Sequence, residues 1–187
     1  MQMYRPVIAN AKEKMEKTKE FFQKDMLALR AGRANPQILD KITVDYYGTP
    51  TPLKQMGNIN SPEPRLLTIS LWDPKSIPLV EKAIQKSDLG LNPSNDGKII
   101  RLVVPELNAE RRKELTKVVK KGAEEAKVAM RNTRRDAMEQ IKKLKKDSVI
   151  TEDDQRKAED ELQKMTDAQI KAVDKIAADK EKEIMEV

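Results

Sequence analysis

Nine of the ten prolines in this chain fall between Pro36 and Pro105, and that distribution limits the fold more than any other feature. Proline removes a helical N–H and clashes with the preceding turn, so long helices are confined to the stretches on either side. Ile8, Ala11, Met15, Thr18, Phe22, Met26 and Leu29 recur at steps of three and four, which predicts a helix over 3–31 with Gly32 placed to end it. Beyond Pro105 a second apolar stripe comprises Leu115, Val118, Val119, Gly122, Ala126, Ala129, Met130, Thr133, Ala137, Ile141 and Leu144. It predicts a helix from Leu107 to Lys146, a rod of about 60 Å. A third helix is expected from Thr151, whose hydroxyl can cap it while Asp154 completes a capping box; its stripe is Ala158, Leu162, Met165, Gln169, Ala172 and Ile176. Asp147–Ile150 is the turn that makes the last two helices a hairpin.

Residues 33–104 have a different texture. The runs 42–47, 66–72 and 99–104 are β-branched or aromatic and read as strands, Gly48–Pro52 as a turn or stiff loop, and the stretch after Ser76 as a short helix with Ser76 as N-cap. Three narrow apolar seams cannot each be buried alone, so the helices are expected to pack as a coiled-coil-like bundle with near-antiparallel neighbours. The predicted fold class is α+β: an elongated three-helix bundle from 1–31 plus 106–187, with a small β/α/β domain, 32–105, inserted into it. Two chain crossings then join the domains, at Arg30–Asn35 and Val104–Leu107. Paired linkers of this kind make a hinge.

Composition removes most catalytic chemistry. The chain contains no cysteine and no histidine, which excludes disulfides, Cys/His zinc sites, thiol nucleophiles and imidazole acid/base catalysis. Its six glycines have neither Walker-loop nor dinucleotide-fingerprint spacing. No cofactor and no catalytic activity are expected. No apolar run suggests a signal peptide or a membrane span, so a cytoplasmic protein with no membrane partner is expected.

Charge is more informative in its distribution than in its total of +6. Pro105–Lys146 holds 14 basic and 7 acidic residues, net +7, whereas Asp147–Val187 holds 7 basic and 13 acidic, net −6. On a helical wheel Lys113, Lys117, Lys120, Lys127, Arg131, Arg134, Arg135, Lys142 and Lys145 gather within roughly 100° on one flank of the second helix, interrupted only by Glu124. Glu114, Glu125, Asp136 and Glu139 collect on the other. An ordinary solvated face mixes signs through i,i+4 pairs, and a one-signed ridge repels itself unless a polyanion is its neighbour. Arg131, Arg134 and Arg135 are its sharpest part, because guanidinium forks engage phosphate bidentately. No aromatic residue follows Trp72, so the ridge has no stacking platform and suits the backbone of structured RNA.

Other candidates have plainer readings. Asp153, Asp154, Glu159, Asp160 and Glu161 suggest a metal or acid/base pair but sit at a helix start, where they complement the macrodipole. Gly122 reads as a close-packing point. Of the adjacent Tyr46 and Tyr47, which face opposite sides of a strand, one belongs to the core.

The stretches Leu29–Pro36, Val44–Leu53, Asp88–Pro93, Glu110–Leu115 and Arg131–Ala137, taken in order along the whole chain, resemble the signature motifs of bacterial ribosome recycling factors. The resemblance implies an L-shaped molecule with the outline of a tRNA. It implies binding to the large ribosomal subunit in the A- and P-site region, the bundle lying against ribosomal RNA. Elongation factor G would then hydrolyse GTP and drive the subunits of a post-termination ribosome apart, releasing mRNA and deacylated tRNA. Carried over by motif, Arg134 is the principal RNA-binding arginine, with Arg131 and Arg135 beside it, and Arg30, Gly32, Arg33 and Pro105 form the hinge. A monomer without a catalytic centre is expected. The alternative from a different class is a helical chaperone or scaffold whose ridge matches acidic client proteins.

Overall fold

A computed structural model describes residues 2–29 and 33–186. The expected hinge residues Arg30 and Gly32 lie outside the described residues. The chain forms two compact units, one of Met1–Met26 with Glu114–Lys182 and one of Leu27–Lys113 with Glu183–Val187.

The first unit is built from three helices: α1 (Arg5–Ala28), α3 (Ala109–Lys146) and α4 (Glu152–Met185). The last two begin where local chemistry dictates. Asn108 caps α3, its Oδ1 accepting from the Arg111 N–H at 2.7 Å. At α4 the Thr151 hydroxyl accepts from the Asp154 N–H at 3.1 Å while the Asp154 carboxylate accepts from the Thr151 N–H at 3.3 Å. That is the reciprocal box expected from the sequence. Between α3 and α4 the chain reverses through Ser148, whose φ of 56° is left-handed, and the Val149 N–H closes the turn on the Leu144 carbonyl at 2.9 Å.

Neighbours are not all antiparallel. Ile8 and Ala11 cluster with Ala137 and Ile141, and Phe22 meets Gly122, so α1 and α3 run in opposite directions. Met15 lies beside Thr166 and Glu16 beside Gln169, so α1 and α4 run the same way. A hairpin of α3 and α4 fixes this, because a helix antiparallel to one arm is parallel to the other. A Cβ on Gly122 would stand 3.3 Å from the Phe22 ring, which is the close approach expected there.

The buried residues follow an eleven-residue repeat. In α4 they are Ala158, Leu162, Thr166, Gln169, Val173, Ala177, Lys180 and Ile184; in α3 they are Leu115, Val119, Ala123, Ala126, Met130, Ala137 and Ile141. In the first helix Tyr4, Met15 and Met26 keep the same interval. Three turns per eleven residues is close to the natural helical period, so the packed face tracks nearly straight helices rather than a left-handed supercoil. The expected alternation of four and three therefore drifts: Met165, Ala172 and Ile176 are only half-buried, and their successors Thr166, Val173 and Ala177 take the core. In α3, Val118 and Ala129 face solvent and Ala123 packs instead. At the edge of this core the Glu16 carboxylate accepts from Lys19 at 2.8 Å and from the buried Gln169 amide at 2.6 Å. The Lys19 hydrogen bond is the main reason its carboxyl sits below the usual glutamate range.

The second unit contains β1 (Thr43–Tyr46), β2 (Thr49–Pro52), β3 (Gly57–Glu63), β4 (Leu66–Leu71), α2 (Ile77–Lys86), β5 (Pro93–Asn95) and β6 (Ile99–Val103). The first two strands pair as an antiparallel ribbon, and the other four form an antiparallel sheet in the order β3-β4-β6-β5. Leu67, Ile69, Ile100 and Leu102 point from one face into a core shared with Val80 and Ile84 of α2.

The stretch expected to be a stiff loop is β2. Tyr47 and Gly48, with φ of 49° and 81°, make the two-residue turn that pairs Tyr46 with Thr49. Pro50 and Pro52 are tolerated because a two-stranded ribbon leaves N–H positions unpaired. Ser76 does not cap α2 through its side chain; its hydroxyl donates to the Asp73 carbonyl at 2.6 Å. Strand β3 packs so closely on β4 that a Cβ at Gly57 would overlap the Ser70 carbonyl oxygen. The β5–β6 turn is held by Asp96, which accepts from the Ile99 and Lys98 N–H groups and from Arg101, holding its carboxyl down to about 2.

Candidate nucleic-acid interface

Helix α3 carries the ridge. Lys113, Lys117, Lys120, Arg131, Arg135, Lys142 and Lys145 are exposed along its flank. Two members are not free in the same sense. Both lie on the side of the flank nearest the core, which half-buries them and brings their heads to α4.

Lys127 ends in an ion pair. Its Nζ is 2.9 Å from the Asp174 carboxylate and 3.1 Å from that of Glu124, and its side chain is 16% exposed. The hydrogen bond to Asp174, then that to Glu124, raises the pKa of this amine above the ordinary lysine value of 10.5. Its charge is already countered within the protein by two carboxylates.

Arg134 ends differently. It occupies the position eleven residues after the buried Ala123, so its stem lies along the packed face while its head reaches the edge. There Nη1 donates to the Gln163 Oε1 at 2.9 Å, and the Gln163 Nε2 donates to the Asp167 carboxylate at 2.9 Å. Arg134 thus meets a neutral acceptor and keeps its full charge. With Arg131 and Arg135 it presents three guanidinium groups within two turns of helix, a spacing that spans successive phosphates of a folded RNA strand. Gln163 and Asp174 carry no signal in the sequence, because only the packing of α4 on α3 brings them to the ridge.

The acidic start of α4 is a paired surface. Arg156 bonds Glu152, Lys157 bonds Asp153, Lys164 bonds Asp160 and Arg5 bonds Glu161, at 2.7–2.9 Å. Among the described residues no group of three or more acidic side chains is arranged to hold a metal. Nor is any helix long and apolar enough to cross a membrane.

At the other candidate site, Arg33 and Pro105 are exposed. The chain segments next to them converge on one turn of the second unit. The Ala34 N–H donates to the Pro64 carbonyl at 2.7 Å and the Val104 N–H to the Arg65 carbonyl at 2.8 Å. Arg65 also pairs with Glu106 at 2.9 Å. Tyr46 is half-buried and donates to Asp73 at 3.2 Å, while Tyr47, in edge contact with it, is 76% exposed.

Residues 22–185 match the family model described as Ribosome recycling factor. The chain belongs to the ribosome recycling factor family. It is 57% identical over 185 residues to the ribosome-recycling factor of Syntrophomonas wolfei, covering 99% of this chain and all of that one. The ribosome-recycling factor of Alkaliphilus metalliredigens is 60% identical over 94% of this chain and 95% of its own. A solution structure of the ribosome recycling factor superposes over the full length of both chains with a TM-score of 0.80 at 38% identity. Models of the T. thermophilus ribosome recycling factor and E. coli elongation factor G bound to the E. coli post-termination complex match 97% of this chain and 98% of that one, with a TM-score of 0.68 and 42% identity. As a member of the ribosome recycling factor family, the protein is a non-catalytic, ribosome-associated translation factor.

Proposed function

We propose that this chain binds the post-termination ribosome through the exposed basic flank of α3 and, with elongation factor G and GTP hydrolysis by that factor, splits it into subunits. The mRNA and deacylated tRNA are thereby released for a new round of translation. Family membership across the chain supports the reaction, and a relative has been placed with elongation factor G on such a complex. The observation that carries the RNA contact is the triad Arg131, Arg134 and Arg135, two exposed and one held at the packed edge by a neutral partner.

Residues 1–31 with 106–187 serve as the RNA-binding arm, resting on the A- and P-site region of the large subunit. Lys113, Lys117 and Lys120 extend the contact along phosphates, and Lys127 acts chiefly within the protein. Residues 32–105 form the part on which the GTPase acts. The crossings at Arg30, Gly32, Arg33 and Pro105 let that part move while the arm stays seated, so the free energy comes from GTP and the chain transmits it. The factor works as a monomer in the cytoplasm and takes no cofactor.

The test is binding of the purified protein to isolated large and small subunits over a salt series, with an Arg131/Arg134/Arg135→Ala triple variant in parallel, followed by subunit splitting with elongation factor G and GTP. Saturable binding to the large subunit that falls with salt and is lost in the variant is expected. Equal binding by the variant would return the ridge to a solvated face.

A further inference from the structure

We propose that Gln163 is a positioning residue for Arg134, setting the direction in which its guanidinium meets a phosphate; this rests on the reading of the α3 flank as the RNA-binding surface. A guanidinium only donates and a carboxylate only accepts. Gln163 joins one to the other, with Oε1 turned to Arg134 and Nε2 to Asp167, each at 2.9 Å. Its amide is therefore locked in one orientation by the chemistry of its neighbours. Asp167 lies one turn further along α4 and supplies the carboxylate that receives the amide N–H.

The arrangement takes one of the five N–H donors of Arg134 and leaves the rest of the fork for a ligand. It also removes rotamer freedom before binding, which a free surface arginine would lose on meeting RNA. A carboxylate at 163 would hold the arginine as well but cancel its charge, as Asp174 does for Lys127. An aliphatic side chain would leave the charge and release the direction. The glutamine does what neither alternative can.

Binding of the full chain to isolated large subunits over a salt series tests this. Gln163→Met should bind about 2- to 10-fold more weakly, the net worth of one positioning hydrogen bond, with an unchanged salt slope because no charge is lost. Gln163→Ala gives the same reading through a second truncation. Gln163→Glu should bind more weakly still, with a shallower slope. Asp167→Asn retains an acceptor and should stay within about 2-fold.

In an Arg134→Ala background, Gln163→Met should cost nothing further, a result that a general effect on folding would not give. Parental binding by the Gln163 variants, or the same loss in both backgrounds, overturns the proposal. If Arg134→Ala itself binds as the parent does, the flank reading fails and takes this inference with it. If Arg134→Ala is weakened while Gln163→Met is not, only the positioning role fails.

Discussion

Lys127 and Arg134 stand seven residues apart on the same flank of α3, both half-buried and both in contact with α4. One meets a carboxylate and the other an amide. The first is an internal ion pair that helps to hold two helices together; the second is, in the proposed function, a charge kept available to RNA. Equal placement on a helical wheel does not mean equal function, because the partner helix decides which cations remain for a ligand. A count of basic residues would weight the two alike.

The strongest way to break this contrast is the triple substitution Arg131/Arg134/Arg135→Ala. It should weaken large-subunit binding by about 100-fold or more at moderate salt and flatten the salt dependence by about three contacts. Next in size is Arg134→Lys, which keeps the charge but loses the fork. Binding should fall about 5- to 10-fold in the same assay, with the slope nearly preserved.

Asp174→Asn sharpens the other side. It leaves the Lys127 ammonium paired only with Glu124, so affinity should rise about 2-fold and the salt dependence should steepen slightly. In that variant the Lys127 amine, followed by NMR, should titrate closer to 10.5 than it does in the parent. The folded pKa is raised, so the stabilisation from this pair is complete below the ordinary value of 10.5 and is lost as pH rises from there through the folded pKa. Smallest of all, Lys127→Ala should alter ribosome binding by less than about 2-fold and reduce thermal stability modestly, as a partly exposed pair does. A loss comparable to that of Arg134→Lys would erase the distinction.

Much of the architecture could be read from residue patterns, and the exceptions have physical causes. Proline placement separated the helices from the inserted strands, and the box at Thr151 and Asp154 located the start of α4 within a residue. The stripe of α4 slipped because a three-and-four alternation assumes a supercoil, whereas these helices keep nearly their natural period. Strand β3 was invisible, since Gly57-Asn-Ile-Asn-Ser-Pro-Glu63 is a polar edge without alternation. The turn expected from Gly48 begins one residue earlier, because Tyr47 takes a left-handed conformation more usual for asparagine or glycine. At the ridge, the arginines were legible from spacing on one helix. The roles of Lys127 and Gln163 depend on which α4 residue faces them across the bundle, and no local pattern encodes that.

The eleven-residue repeat shared by the three helices has a consequence for how such a molecule can change over generations. Inserting one residue into a helix turns everything beyond it by about 100°, which in α3 would swing the acidic flank of Glu125 and Asp136 toward the core. Changes of about seven or eleven residues return the face to within about 20°, and they must enter all three helices together. The rod can therefore grow or shrink in steps of about 10 or 16 Å and not by a residue or two. Its length is a quantised ruler, so a lineage whose binding site shifted by a few ångströms would have to adjust side chains or linkers while the arm kept its measure.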